Sequence, residues 1–128
     1  MPIETDVAIL GGGPGGYTAA VRAAQAGRSV VIVERDKLGG TCLHRGCIPS
    51  KSLLRSAEVY ATVRQAQQYG VAVPGEATVD WKAVHARKDA IVAQLYAGVQ
   101  ALMKQNKIQV IQGDGRITGP SIFSPRSG

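Results

Sequence analysis

Apolar residues in this chain follow two rhythms: short unbroken runs that stop at glycine, and longer stretches where they recur every three or four positions. Asp6-Val7-Ala8-Ile9-Leu10 is of the first kind, too brief for a helix and suited to a buried parallel strand. Tyr17 to Ala26 is alanine-rich and ends at Gly27, which predicts a helix closed by glycine. Ser29 to Glu34, with β-branched residues throughout Val30 to Val33, predicts a second strand. Lys51 to Gln68 reads as helix, with Leu53, Leu54, Ala57, Ala61 and Val63 as its apolar positions and Gly70 as its stop. Val71-Ala72-Val73 can extend briefly before Pro74-Gly75 turns the chain. Asp80 is a suitable N-cap for a long amphipathic helix through Lys104, on which Trp81, Val84, Ile91, Leu95 and Leu102 keep near-helical spacing. Trp81 reads there as a packing anchor, and Gly98 as a local weakness or a place of close packing. Lys107 to Gln112 predicts a third strand. Arg116 to Pro120 and Ser121 to Pro125 resemble a small strand pair interrupted by turn residues.

Strand, glycine turn, helix and strand make one compact βαβ unit and predict an α/β fold with a parallel sheet flanked by helices. At 128 residues the chain is long enough for one domain with a real core. Its 45% hydrophobic and 19% charged residues are those of a globular protein. No apolar run is long enough to span a membrane, and the start Met1-Pro2-Ile3-Glu4-Thr5-Asp6 lacks a secretory pattern, so a cytoplasmic location is expected. The net charge of +6 invites a nucleic-acid partner. Lys and Arg are nevertheless spread along the helices and aromatic rings are few, so a solvated basic surface is expected instead.

The segment between the first strand and first helix carries a mechanism. In Gly11-x-Gly13-x-x-Gly16, Gly11 permits a tight turn, Gly13 lets a pyrophosphate approach the backbone, and Gly16 lets helix and strand pack closely. The helix N-terminus adds unpaired N–H groups and positive potential. Glu34, at the end of the next strand, stands where a ribose hydroxyl would lie. The pattern points to dinucleotide binding, against a bare glycine-rich turn, but does not separate FAD from NAD.

Gly39-Gly40-Thr41-Cys42-Leu43-His44-Arg45-Gly46-Cys47-Ile48-Pro49-Ser50-Lys51 follows. On a regular helix, residues five apart have Cα atoms about 8.7 Å apart, whereas a disulfide needs roughly 4.4–6.8 Å. If Cys42 and Cys47 are bonded, the backbone between them must leave helical geometry, and Gly46 is where it bends most cheaply. A cysteine near a helix N-terminus is stabilised as thiolate, and Pro49 favours a helical start close by. A structural disulfide and buried free thiols are the alternative readings. Zinc would find at most three ligands in Cys42, His44 and Cys47, so no metal site is expected. His44 and His85 read as polar surface groups.

The same segment resembles the redox-active disulfide of the flavoprotein disulfide reductases, the pyridine nucleotide-disulfide oxidoreductase family. Gly46 to Lys51 looks most like the branch that oxidises dihydrolipoamide, and the similarity runs from about Asp6 to Phe123. The resemblance implies a Rossmann-like FAD-binding domain, incomplete relative to the family: residues 1–128 match the N-terminal FAD portion, without the NAD and dimer-forming domains. It implies that Cys42 exchanges with dihydrolipoamide, that Cys47 faces the flavin, and that Lys51 lies near flavin N5. Glu34 would bind ribose; Gly11, Gly13, Pro14, Gly15, Gly16, Arg35, Gly40 and Thr41 would line the FAD; and Gly115 would meet its adenine end. Electrons would pass to NAD, bound by the absent domain. The implied partners are a second copy in a homodimer and the lipoyl domain of a 2-oxoacid dehydrogenase complex. The other readings are a non-enzymatic FAD-binding or redox-responsive fragment, or a mercuric or glutathione-type reductase. Glutathione reductases usually carry a second lysine where Ser50 stands.

Overall fold

A computed structural model describes residues 2–119 and the backbone of 122–126. Three strands, β1 (Val7–Leu10), β2 (Val30–Glu34) and β3 (Gln109–Gln112), form one parallel sheet in the order β1-β2-β3. β2 is central, and Val30 to Val33 are all buried, as an apolar run in a strand covered on both faces should be. Val7 stands opposite Val30 on one side and Gln109 opposite Val31 on the other. The fold class expected from the pattern is the one observed.

β1 and β2 are joined through α1 (Pro14–Gln25), which starts earlier than the alanine-rich stretch suggested. Proline suits the first helical position because its missing N–H would have no acceptor there. Gly27, at φ +80°, closes the helix as expected, with Arg28 N–H donating to the Ala23 carbonyl and Gly27 N–H to that of Ala24.

At the outer ends of β1 and β2 the Asp6 carboxylate accepts from the Ser29 backbone N–H at 2.8 Å and from the Ser29 hydroxyl at 3.0 Å. These bonds, and the nearby charge of Arg28, hold its pKa below the ordinary carboxylate value. The folded state therefore prefers the ionised form, and this stabilisation is present above the unfolded pKa of about 3.9 and lost as pH falls through the lower folded value. In Asp6→Asn the acid limb of the stability–pH curve, followed by urea titration below pH 5, should be shallower than in the parent.

From β2 the chain passes through α2 (Gly40–His44) and α3 (Cys47–Arg64), a 3₁₀ turn over Ala66–Tyr69, and α4 (Trp81–Gln105) before β3. Asp80 caps α4 as expected, its carboxylate accepting from Ala83 N–H at 3.0 Å. α3 and α4 pack together, and Arg87 crosses between them to donate to the hydroxyl of the buried Ser52 at 3.1 Å.

Their buried faces match the expected ones in part: Leu53 and Val63 on α3 and Val84 and Ile91 on α4 are half-buried as expected. On α4 the buried line runs through Val99 and Met103, with Tyr96 half-buried beside it, while Leu95 and Leu102 are largely exposed. Trp81 is not a packing anchor: it is 66% exposed. α4 has 25 residues and is therefore roughly 37 Å long, and the residues it buries in the core, Val99 and Met103, lie toward the end away from Trp81. On α3 Leu53, Ser56, Tyr60 and Val63 are half-buried, whereas Leu54, Ala57 and Ala61 face outward. Val71 to Val73 form no strand.

α4 closes on Lys107, the described non-glycine residue with a positive φ, +55°. Ile108 N–H donates to the Met103 carbonyl and Lys107 N–H to that of Lys104, the same closure that Gly27 gives α1. A side chain in this conformation costs about 1 kcal/mol relative to glycine. Lys107→Gly should therefore raise the urea midpoint by an amount equivalent to about 1 kcal/mol, with an unchanged slope.

Beyond β3, β4 (Asp114–Gly119) pairs antiparallel with β5 (Ile122–Arg126), the strand pair that the turn residues suggested. The linking positions 120 and 121 lie outside the described residues.

Candidate functional site

The carboxyl ends of β1, β2 and β3 converge. Gly11 N–H donates to the Val33 carbonyl at 2.8 Å and Gly113 N–H to the Glu34 carbonyl at 2.9 Å, so the loops after β1 and β3 are tied to the end of β2. Above them lies an open cleft of 720 Å³, running past the glycine loop, the end of β2, the α2 turn and the start of β4. This is where an open parallel sheet binds ligands, and the volume is within the range of about 300–1,000 Å³ usual for cofactor sites.

The glycines of the loop do different things. Gly11 has φ +99°, which turns the chain off β1. A Cβ at Gly16 would run into the Gly11 carbonyl oxygen, so only glycine lets α1 start this close to the strand. A Cβ at Gly13 would meet nothing within 4 Å; what lies over it is the open cleft. Tyr17 N–H makes the first bond of α1, to the Gly13 carbonyl, which leaves the amides of Gly15 and Gly16 ahead of the first intrahelical acceptor.

Glu34 stands on the cleft and is already employed. Its carboxylate accepts from Gly12 N–H at 2.6 Å and from Asp36 N–H at 2.8 Å. A carboxylate offers about four acceptor positions, so it can still receive the two hydroxyls of a ribose. Gln112, at the end of β3, donates to the carbonyl of Asp36 at 2.7 Å and to that of Arg35 at 3.2 Å, fixing the segment after β2.

The cysteine segment packs directly on this loop. A Cβ at Gly40 would lie 2.8 Å from the Gly13 Cα, so close approach demands glycine there. Cys42 and Cys47 form a disulfide, with Cα atoms 4.7 Å apart. The expected departure from helical geometry is the break between α2 and α3, at Arg45 and Gly46. Gly46 contributes by close approach: a Cβ there would sit 3.0 Å from the Thr41 carbonyl oxygen. Cys47 is the first residue of the 18-residue α3, with Pro49 in the same turn.

Of the residues singled out from the sequence, Gly11, Gly13, Pro14, Glu34, Arg35, Gly40, Thr41, Cys42 and Gly115 all border the cleft. Gly15, Gly16, Cys47 and Lys51 do not line it; Gly15, Cys47 and Lys51 are exposed and Gly16 is half-buried. Gly115 has a packing reason too, since a Cβ there would lie 2.6 Å from Leu10 and 2.9 Å from Val33 side chains.

His44 is not the plain surface group the sequence suggested. It is half-buried on the cleft wall, its Nε2 2.8 Å from the Leu38 carbonyl and its ring 5.0 Å from that of Tyr96. Asp36 and Arg45 border the cleft as well and form an exposed ion pair. His85 is exposed on α4, as expected.

Residues 5–122 match the family described as pyridine nucleotide-disulphide oxidoreductase. The chain belongs to that family. Among curated members of the pyridine nucleotide-disulphide oxidoreductases, it is 60% identical over 128 residues to a dihydrolipoyl dehydrogenase of Bacillus subtilis, covering all of this chain and 27% of that protein. A second Bacillus subtilis dihydrolipoyl dehydrogenase is 54% identical over 108 residues, which is 84% of this chain and 24% of the relative. One from Acholeplasma laidlawii is 47% identical over 117 residues, 91% of this chain and 35% of the relative. The chain thus spans about a quarter to a third of the length of the curated relatives it matches.

Membership implies FAD, with NAD bound by other domains. The residues present fit FAD on three counts. The backbone over Gly13 is open, the α1 amides precede an intrahelical partner, and Glu34, hydrogen-bonded to the same loop, retains acceptor capacity on the cleft.

Proposed function

We propose that residues 1–128 form the N-terminal FAD-binding portion of a dihydrolipoamide dehydrogenase. The supporting observation is the disulfide at the wall of a dinucleotide cleft: Cys42 borders the space whose floor is the Gly11–Gly16 loop.

In this reading a thiolate of dihydrolipoamide attacks the Cys42 sulfur and Cys47 departs as thiolate. The second substrate thiol then attacks the mixed disulfide at the lipoyl sulfur, releasing cyclic lipoamide and leaving both cysteines reduced. The position of Cys47 suits a leaving group, because the α3 amides and dipole favour the anion and a more acidic thiol leaves faster. FAD, held by the residues around the cleft, would supply a two-electron acceptor between the cysteine pair and NAD. Lys51, four residues along α3, supplies positive charge on the flavin side. Glu34 holds ribose, the Gly13 to Gly16 backbone holds the pyrophosphate, and Arg35, Gly40, Thr41 and Gly115 shape the rest of the channel.

The whole protein, on this reading, is a cytoplasmic homodimer that serves the lipoyl domain of a 2-oxoacid dehydrogenase complex. Among the described residues no helix is long and apolar enough to cross a membrane. The test is made on the protein at full gene length. Purified protein should be yellow and should reduce NAD with dihydrolipoamide, and neither glutathione disulfide nor mercuric ion should be turned over at a comparable rate. Bound flavin with no turnover would favour a redox-responsive module instead, and preferred turnover of glutathione disulfide or mercuric ion would favour the other branches.

A further inference from the structure

α2 has five residues, Gly40–His44. A helix that short does not hold its own shape in water, yet it carries one of the two sulfurs, and its end connects directly to the other. Its conformation must be imposed by tethers, and three adjacent residues supply them. Leu43 is buried in the core, an attachment with little directional content. Arg45 pairs with Asp36, but both side chains are mostly exposed, and such pairs contribute little. His44 provides a directional and partly sheltered one.

The Leu38 carbonyl can only accept, so the His44 Nε2 at 2.8 Å must carry the proton and donate. Leu38 itself is buried, at 6% exposure. The next two residues, Gly39 and Gly40, have positive φ, so the chain turns away from Leu38 as α2 begins, and the ring stands in as the donor for its carbonyl. On its other side the ring meets Tyr96 edge to face, with the planes at 75°. Tyr96 belongs to α4 and packs against the core cluster. One imidazole therefore fixes the cysteine turn both to the loop that precedes it and to the longest helix of the domain.

Resting on the redox reading of the disulfide given above, we infer that His44 is a positioning residue that sets the balance between disulfide and dithiol. Closing the bond confines the segment from Cys42 to Cys47 to conformations that keep the two sulfurs within reach, whereas the dithiol is free to leave them. Contacts that hold this segment in its bonded arrangement already confine the dithiol, so less conformational freedom is lost when the bond closes. Their removal makes the disulfide easier to reduce.

The experiment equilibrates the protein at pH 7 with mixtures of reduced and oxidised dithiothreitol. Reduced dithiothreitol opens the Cys42–Cys47 bond to two thiols while its own cyclic disulfide closes, a balanced exchange that gives the dithiol form. Acid trapping, alkylation and mass spectrometry then give the fraction reduced. His44→Ala should shift the equilibrium toward dithiol by about tenfold, which is about 30 mV for a two-electron couple. His44→Gln, which keeps an N–H donor of similar reach, should recover most of the shift. Tyr96→Leu, which keeps the hydrogen bond and removes the ring contact, should give a smaller shift, about threefold.

Urea unfolding of the oxidised and reduced forms of each variant separates this from general destabilisation, because a merely structural role would weaken both forms equally and leave the equilibrium constant unchanged. An equilibrium constant within twofold of the parent in His44→Ala overturns the inference. If that variant does not fold, an unshifted Tyr96→Leu overturns it. Failure of the parent to exchange with dihydrolipoamide would instead count against the functional reading, and the dithiothreitol equilibrium would still decide the role of His44.

Discussion

Gly16→Val should lose both FAD binding and much of the stability of the domain. The first atom added would lie 1.9 Å from the Gly11 carbonyl oxygen, which belongs to backbone and cannot rotate away as a side chain would. Relief requires α1 to shift outward from β1 or the Gly11 turn to open. Either movement displaces the Gly13 carbonyl that receives the first bond of α1, together with the amides available to a pyrophosphate. The cost is at the upper end for overpacking, about 3 kcal/mol, a large share of the 5–15 kcal/mol that a domain typically has. The comparison that gives this meaning is Gly15→Ala. A Cβ at Gly15 meets nothing within 4 Å, and the residue lies in helix, where alanine is favoured over glycine by up to about 1 kcal/mol. Urea denaturation of the two flavin-free variants should therefore move the midpoint in opposite directions, and FAD titration by quenching of flavin fluorescence should show no saturable binding in Gly16→Val. A Gly16→Val protein as stable as the parent would mean that the helix and strand are not in the close contact described.

The contrast between those neighbouring glycines also bears on what could be read from the sequence. The spacing of Gly11, Gly13 and Gly16 was legible because each answers a local steric demand, and local demands leave local patterns. The same holds for the unbroken run of β2, for Asp80 at the start of α4 and for Gly27 at the end of α1. Burial of the helices was less legible, because it depends on what lies opposite. α3 exposes Leu54 and half-buries Ser56 and Tyr60, while the buried Ser52 on the same helix receives Arg87 from α4. The ties around the cleft were not legible at all. Gln112 reaches back to the Arg35 carbonyl across 77 residues, and Gly12 N–H finds Glu34 across 22, contacts that no neighbouring residue signals. His44 was misread for the same reason: its acceptor is a backbone carbonyl, invisible in any residue pattern, and Tyr96 comes from an element far along the chain.

Replacing either cysteine by serine should remove dihydrolipoamide oxidation while leaving the fold in place. The two halves of that statement rest on different magnitudes. Cys42 and Cys47 are separated by five positions, and a disulfide closing so short a loop stabilises a domain by only about 2 kcal/mol in the chain-entropy account. The sheet, Leu43 and the α3–α4 contact survive such a loss, so the far-ultraviolet circular dichroism of both variants should match that of the parent. Activity has no such reserve. Exchange needs one sulfur to be attacked and another to leave, and a serine oxygen does neither, so in the protein at full gene length the rate should fall by at least about a thousandfold in Cys42→Ser and in Cys47→Ser alike. The variants should differ in one respect. In Cys42→Ser the remaining thiol is at the first position of an 18-residue helix, whereas in Cys47→Ser it is in the five-residue α2. A dipole contribution of about 0.3–1 kcal/mol to the thiolate corresponds to about a two- to fivefold difference in thiolate population at neutral pH. Cys47 is also the more exposed residue of the two. In protein stripped of flavin, iodoacetamide should therefore modify Cys42→Ser faster than Cys47→Ser by at least that factor. The opposite order would reverse the assigned roles, making Cys42 the better leaving thiolate and Cys47 the sulfur that meets the substrate.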